Sequence, residues 1–135
     1  MGTVVTGKRK ESIARANIYA GNGVFRINSM LFENYMPRMA RERIRQAIIL
    51  ADGIVDMSKV NIDIISSGGG VMGQSDAIAS AIARGLVVYA KSDQLHDVYV
   101  KYDRTLIAGD HRQTEVHKPS QSSKGPRHKR QKSYR

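Results

Sequence analysis

The sequence has no cysteine, no long apolar run and few acidic residues. None of its 135 residues is cysteine, which excludes disulfide bonds and cysteine-ligated metal sites and suits a reducing compartment. No apolar stretch is long enough to span a membrane, and the first residues lack the apolar core of a secretory signal peptide. The length predicts one domain, and these absences predict a cytoplasmic protein without a membrane segment.

Residue patterns that mark catalytic or metal sites are also missing. The four histidines are His96, His111, His117 and His128, and none has metal-ligand spacing with a second histidine on a helix face. No serine lies in a nucleophile elbow, and the acids are not visibly paired. The sequence therefore predicts no enzyme, no metal site and no cofactor.

The charge of the chain is strongly positive and unevenly distributed. Lysines and arginines number 22 against 12 acids, which gives a formal net charge of +10 and a pI of about 10.2. An excess of this size predicts a polyanionic partner, most often nucleic acid. From Asp110 to Arg135, eight basic residues face two acids, and this stretch has too little apolar surface to fold alone. We expect a globular body over residues 1–109 and an extended basic tail over residues 110–135.

A glycine-rich loop lies at the centre of the chain. It reads Gly68-Gly69-Gly70-Val71-Met72-Gly73-Gln74-Ser75, between an alternating apolar pattern over residues 60–65 that predicts a strand and a pattern over residues 77–90 that predicts a helix. Such a junction can direct backbone N–H groups and the positive end of a helix dipole toward an anion. Phosphate is the anion most often bound in this way.

Three interpretations of this loop remain open on spacing alone. Gly68, Gly70 and Gly73 spell the dinucleotide fingerprint, but Asp93, at the distance of its ribose-binding acid, follows a helix and not a strand. The spacing nearly spells a P-loop, but Gln74 stands where its lysine belongs. Third, the loop can be a turn that needs glycine for positive φ and close packing.

The first part of the chain has the alternation of strands. Residues 14–20 alternate small apolar with polar side chains, Gly21-Asn22-Gly23 is a turn signal, and residues 24–28 return as a strand, so we predict a hairpin. The basic triplet Lys8-Arg9-Lys10 with Arg15 can be a solvated strand end or a phosphate contact.

Helices are predicted on both sides of the glycine loop. A helix that starts after Pro37 has an apolar stripe and a second stripe of Arg38, Arg41 and Arg45, which suits phosphate because a guanidinium binds two oxygens at once. After the helix over residues 77–90, Asp93 is expected to cap another short helix.

Several motifs, in order along nearly the whole chain, resemble the small-subunit ribosomal protein S9 family, in its archaeal and eukaryotic form. They are Gly7-Lys8-Arg9-Lys10, Ala14-Arg15-Ala16, Gly68-Gly69-Gly70-x-x-Gly73-Gln74-x-x-Ala77, Ala81-x-Ala83-Arg84-Gly85-Leu86, Asp110-x-Arg112-x-x-Glu115, Lys118-Pro119 and the terminal Gln131-Lys132-Ser133-Tyr134-Arg135. The chain departs from the usual arginine- and glycine-rich tail at Val116-His117 and over residues 121–124.

The resemblance implies a fold and a set of partners. The fold is α+β, with a mixed β-sheet, helices packed on one face and a left-handed βαβ crossover against the usual rule, similar to the second domain of ribosomal protein S5. The implied partners are small-subunit ribosomal RNA, the peptidyl-site tRNA reached by the tail, and neighbouring ribosomal proteins of the subunit head. No membrane and no homo-oligomer are expected.

The charge pattern and the resemblance together predict two groups of site residues. The residues predicted to bind ribosomal RNA are Lys8, Arg9, Lys10, Arg15, Arg38, Arg41, Arg45, Gly68, Gly69, Gly70, Gln74, Arg84, Arg112, Lys118, Lys124, Arg127, Lys129 and Arg130. The residues predicted from the resemblance to meet tRNA are Lys132, Ser133, Tyr134 and Arg135.

Two other functions remain as alternatives. One is a nucleotide-binding domain that uses the glycine loop, in which Lys91 or Arg84 would have to replace the missing P-loop lysine. The other is a free RNA or DNA chaperone that never joins a particle.

Overall fold

The computed structural model describes residues 2–118, which form a five-stranded sheet with helices packed on it. The strands are β1 (Thr3–Arg9), β2 (Ser12–Ala20), β3 (Phe25–Ile27), β4 (Met30–Leu31) and β5 (Val60–Ser67). The helices are α1 (Arg38–Ala51), α2 (Val71–Ala90), α3 (Asp93–Tyr102) and α4 (Thr105–Ala108), with short 3-10 turns at Phe32–Asn34 and Met57–Lys59. Within this part of the chain, no helix combines the length and apolarity needed to cross a membrane.

The strand order is β1-β2-β5-β3-β4. Neighbouring strands are antiparallel except β3 and β5, which pair in parallel. A parallel pair needs a crossover connection, and here that connection contains α1. The expected α+β class and mixed sheet are confirmed; the left-handed sense of this crossover stays a prediction.

The predicted hairpin of residues 14–20 with residues 24–28 is wrong. Strand β2 pairs with β1 and β5, whereas β3 pairs with β5 and β4. The turn at Gly21-Asn22-Gly23 carries the chain past β5, where the Asn61 side-chain oxygen accepts hydrogen bonds from the Asn22 and Val24 N–H groups at 2.9 Å each. The tight hairpin is instead β1–β2, joined by Lys10-Glu11.

One face of the sheet is buried beneath α2, which contacts both β1 and β2, and α1 packs on α2. The inward residues of β2 are small, and the facing side of α2 is rich in alanine. A side chain at Gly7 would collide with the Ala77 carbonyl and the Ala81 backbone. This helix therefore lies close to the sheet, because the residues between the two are small.

The other face of the sheet has no helix on it in the described residues. Its outward positions alternate with the buried ones along β1, β2 and β5. We call it the open face, and it consists of Val4, Thr6, Lys8, Ile13, Arg15, Asn17, Tyr19, Arg26, Leu31, Asn61, Asp63, Ile65 and Ser67.

Helix boundaries differ from the sequence prediction at α2 and α3. Helix α2 begins at Val71, not near residue 77, so Gly73 and Gln74 lie in its first turns and the loop proper is only Gly68-Gly69-Gly70. The cap of α3 is Ser92 and not Asp93, because the Ser92 hydroxyl accepts a hydrogen bond from the Leu95 N–H at 3.3 Å. Both shifts move polar residues from loop to helix.

The apolar stripe of α1 is confirmed as core. Ala40, Ile44, Ala47 and Ala51 are fully buried. The Tyr99 hydroxyl of α3 donates a 2.6 Å hydrogen bond to the Ala47 carbonyl, and burial raises the pKa of this phenol well above its ordinary value. The contact fixes α3 against α1 and satisfies both polar groups in the core.

Candidate nucleic-acid interface

The conformation of the glycine loop requires glycine at some of its positions but not at all of them. Gly68 and Gly69 have φ of 78° and 62°, in the left-handed region that favours glycine. A side chain at either would also collide with the β1–β2 hairpin, at the Glu11 carbonyl or the Ser12 hydroxyl. Gly70 differs, because its φ is −101° and an added Cβ would meet nothing within 4 Å. The fold therefore requires Gly68 and Gly69, but not Gly70.

Two side chains hold the loop by its Gly68 carbonyl. The Ser12 hydroxyl of β2 and the Gln74 amide nitrogen of α2 each donate to this oxygen at 3.0 Å. Gln74, at the position of the P-loop lysine, thus turns back onto the loop. The arrangement fixes the loop between hairpin and helix and supplies no cation of its own.

The N-terminus of α2 is open. Gly70 is its N-cap and offers no capping side chain, and the first intrahelical bond runs from the Gln74 N–H to the Gly70 carbonyl at 2.9 Å. The preceding N–H groups of the 20-residue helix are therefore available to an anion. Gly70, Met72 and Gly73 at this helix end line a cavity of about 420 Å³, together with Lys10 and Thr114.

Beside this cavity lies a group of paired charges that we call the ion cluster. Its members are Arg9, Arg43, Asp76, Asp103, Asp110 and Arg112. Arg43 links α1 to α2 and to the end of α3, with its nitrogens 3.0 Å from Asp76 and 3.2 Å from Asp103. Burial opposes the charge of Arg43, but its hydrogen bonds to these two aspartates raise its pKa.

The start of the predicted tail belongs to the ion cluster. Gly109, with φ of 82°, turns the chain so that the Asp110 carboxylate lies 3.3 Å from Arg9 and 2.6 Å from Arg112. The Asp110 side chain is only 10% exposed. Hydrogen bonds from the Arg112 side chain and backbone N–H hold the pKa of Asp110 far below its ordinary value. Residues 110–112 are thus fixed to the body, and the chain then passes the cavity at Thr114.

Arg84 makes two contacts with backbone carbonyls. Its Nε donates to the Ile107 carbonyl at 2.7 Å and its Nη1 to the Thr6 carbonyl at 3.2 Å. Thr6 lies in β1, the edge strand of the sheet, and Ile107 lies in α4. The guanidinium therefore joins α4 to the edge strand of the sheet.

The arginine stripe of α1 is only partly free within the described residues. Arg38 is exposed. Arg41 donates to the Glu33 carbonyl. Arg45 lies 3.3 Å from both the Glu33 and the Glu42 carboxylates, and its guanidinium carbon is 5.7 Å from the centre of a phenylalanine ring in the preceding 3-10 turn. Of the three, Arg38 is the most available to an external anion.

Comparison with known proteins gives one consistent family. The family model for ribosomal protein S9/S16 matches residues 7–135. The chain belongs to the ribosomal protein S9/S16 family.

Curated relatives agree with this assignment. The small ribosomal subunit protein uS9 of Methanococcus maripaludis, strain C7, is 43% identical over 129 residues, covering 96% of this chain and 95% of the relative. The protein of the same name from Methanococcus vannielii is 41% identical over the same length. The resemblance to an archaeal-type member of the family is therefore confirmed. The family consists of structural ribosomal proteins, so this S9-family chain is not an enzyme.

The structure separates the predicted RNA-binding residues of this S9-family chain into groups, and their roles stay predictions. Exposed and outside the ion cluster are Lys8, Lys10, Arg15, Arg38, Lys118 and the three loop glycines. Engaged within the chain are Arg9, Arg41, Arg45, Gln74, Arg84 and Arg112. Outside the described residues are Lys124, Arg127, Lys129, Arg130, Lys132, Ser133, Tyr134 and Arg135.

Sequence reasoning missed the acidic half of the ion cluster and Arg43. Asp76, Asp103 and Asp110 are far apart in sequence, and only Asp110 carried a signal, as part of the motif with Arg112. In the folded protein, each of the three aspartates lies between arginines of the ion cluster or beside one of them. Among residues 2–118, no group of three or more histidines and acids is arranged to hold a metal ion.

Proposed function

We propose that this S9-family chain is a structural protein of the small-subunit head that binds ribosomal RNA through its hairpin tip and glycine loop. One observation carries the proposal: exposed Lys10, the open N-terminus of α2 and Thr114 at the base of the tail all line the same cavity. An exposed cation, free backbone donors and a basic chain segment nearby together suit a phosphate backbone.

The glycine at position 70 supports the proposal that an external phosphate approaches the N-terminus of α2. The fold leaves the space around it empty and its backbone would accept any residue, so no internal contact accounts for a glycine there. A missing side chain at a helix N-terminus lets an external phosphate come close to the N–H groups. Folded RNA is recognised largely by shape and backbone, and the lysines and arginines supply affinity by releasing counterions.

The substitution Gly70→Ser tests this proposal directly. Serine is a good N-cap, so its hydroxyl is expected to accept a hydrogen bond from one of the free N–H groups and leave the protein as stable or more stable. Because that donor is then occupied and the side chain fills the approach to the others, affinity for head-domain ribosomal RNA should fall by about fivefold, and the slope of log affinity against log salt should become less steep. Filter binding over a salt series measures both.

Ala20→Ser, an exposed change at the far end of β2, is the matched control and should leave affinity unchanged. If Gly70→Ser bound RNA as tightly as the wild type, the glycine loop would not be the contact. A wild-type affinity that did not depend on salt would contradict phosphate binding altogether.

The tail extends the proposal to tRNA in the peptidyl site. Arg112 fixes the point of departure, Lys118 is exposed beyond it, and the remaining basic residues, with Lys132 and Arg135 at the terminus, lie outside the described residues. Stretched at about 3.3 Å per residue, residues 113–135 could reach on the order of 75 Å. Deleting residues 132–135 should leave subunit assembly intact and weaken peptidyl-site tRNA binding. Unchanged tRNA affinity of the mutant subunits would refute this role.

The proposal includes a cytoplasmic ribosome and neighbouring proteins of the head as partners, with one copy per particle. Co-sedimentation with small subunits after a moderate salt wash separates it from a free RNA chaperone. The nucleotide-binding alternative has less support, because Gln74 bonds the loop itself and Arg84 is held by two carbonyls. Binding of ATP in equilibrium dialysis would revive it.

A further inference from the structure

The open face of the sheet has apolar residues where a solvated face would be polar. Ile65 is 71% exposed and Val4 68%. Ile13 and Ile65 are diagonal neighbours, because Ile13 pairs with Ser67 and Arg15 pairs with Ile65 across β2 and β5. Outward positions of a half-buried sheet are normally polar, so these exposed apolar residues indicate a surface that binds a partner.

Cations surround this aliphatic centre. Lys8 lies opposite Ile13, Arg15 opposite Ile65, and Arg26 opposite Asp63 on the next strand. All three are exposed, and none forms a salt bridge in the part of the chain that the structure describes. The acid of this group, Asp63, accepts a 2.8 Å hydrogen bond from the Tyr19 hydroxyl, so the face has a positive excess and its partner should be an anion.

The arrangement favours RNA over a protein partner. Protein interfaces have a continuous apolar centre with aromatic anchors, whereas here Arg15 and Thr6 interrupt the aliphatic groups. The face has one aromatic residue, Tyr19, and its hydroxyl is already bound to Asp63. Two small hydroxyl residues lie beside this group, because Thr6 is opposite Arg15 and Ser67 is opposite Ile13.

We propose that the open face docks on the minor groove of a double-helical segment of ribosomal RNA. The A-form minor groove is wide and shallow and displays 2′-hydroxyls, so the side chains of an exposed sheet face can reach it. Strands β1 and β3 are three strand spacings apart, about 14 Å, which places Lys8 and Arg26 on opposite sides of the aliphatic centre. The cations contact phosphates, the isoleucines pack on riboses, and the Thr6 and Ser67 hydroxyls bond 2′-hydroxyls.

This inference rests on the proposed RNA-binding function but uses a different surface. The glycine loop contacts phosphate at one end of the sheet, whereas the open face would recognise a duplex by shape. The two can therefore be tested separately in the same particle.

The absence of native cysteine allows a site-specific test. Ile65→Cys is labelled with an iron chelate that generates hydroxyl radicals, and the full chain is assembled into small subunits. Radicals released in a minor groove attack riboses on both strands, so we expect cuts on both strands of one duplex, offset across the groove. Ile49→Cys, the same change at an exposed position of α1, is the control and should not cut that duplex.

If the labelled Ile65→Cys variant does not assemble into small subunits, the same iron chelate is attached to Ser67→Cys instead. We call each labelled cysteine a tether. Cuts on one strand only, or no cuts from either open-face tether while Lys10→Cys cuts, would overturn the duplex proposal and leave the glycine-loop proposal intact. If none of the three labelled variants cut the RNA, both the duplex proposal and the glycine-loop proposal would be contradicted. If the thiol of the Ile65→Cys variant were protected from labelling in assembled subunits and no RNA cuts appeared, a protein would cover this face, and that result would also overturn the proposal.

Discussion

The cations on the two sides of strand β1 have different surroundings. Lys8, on the open face, and Lys10, at the hairpin tip, are exposed and form no salt bridge within residues 2–118. Arg9, between them in sequence, points inward, where its side chain is 16% exposed and lies 3.8 Å from Asp76 and 3.3 Å from Asp110. The alternation of β1 turns Lys8 outward and Arg9 inward, and the turn that follows the strand leaves Lys10 exposed.

The positive charge of the chain therefore consists of two kinds of cation with different roles. A net charge of +10 indicates a polyanionic partner but does not say which residues meet it. Arginines that hold carboxylates or carbonyls of their own chain lose part of their capacity for phosphate. The outward cations keep that capacity, so substituting the two groups should have opposite consequences for stability and for RNA binding.

The largest expected effect is on stability, from Arg84→Ala. The change leaves the Ile107 and Thr6 carbonyls without the charged donor that holds α4 to the sheet edge. Loss of hydrogen bonds to a charged group should lower the free energy of unfolding by about 2–3 kcal/mol. Denaturant unfolding monitored by circular dichroism measures it.

Arg15→Ala is the matched control from the open face. It should change the free energy of unfolding by less than about 0.5 kcal/mol. For RNA binding the order should reverse: the salt slope should decrease by about 0.7–0.9 for each phosphate contact that Arg15 makes, whereas folded Arg84→Ala should keep the wild-type slope. If both variants lost stability equally, the distinction between the two groups of cations would fail.

Much of the secondary structure follows from sequence periodicity. The alternation over residues 14–20 and 60–65, and the apolar stripe of α1, correspond to β2, β5 and a buried helix face. The pairing of the strands could not be predicted from the sequence, because the two-residue turn of Lys10-Glu11 lacks the glycine or asparagine that marks a tight hairpin. Lys10 instead takes positive φ without them.

The candidate site was predictable in its location but not in its internal contacts. The glycine loop and the hairpin cations came from local motifs. Which arginine turns inward depends on partners such as Asp76 and Asp110, which lie 67 and 101 positions from Arg9 along the chain, and no local pattern records such a distance. Likewise, Gly68 and Gly70 are both glycines in one short loop, and only the space around each in the folded protein distinguishes them.

The smallest expected effect concerns pH and tests whether the ion cluster holds the base of the tail. The pKa of Asp110 is lowered in the folded state, so its contribution to stability is present above the ordinary carboxylate pKa and is lost as pH falls through the lowered value. The melting temperature of Asp110→Asn should therefore lie below that of the wild type at pH 7, and the gap should close as pH falls below about 4.

Glu115→Gln, an exposed carboxylate in the same stretch, should leave the melting temperature at pH 7 unchanged. The two variants separate a specific contact from a general loss of negative charge in a basic protein. Equal melting temperatures of Asp110→Asn and the wild type across the whole pH range would mean that residues 110–112 are not held to the body. The tail would then leave the fold at Gly109, and its path past the glycine loop would no longer be set by Arg9. That result would weaken the link between the two segments that we propose to bind RNA.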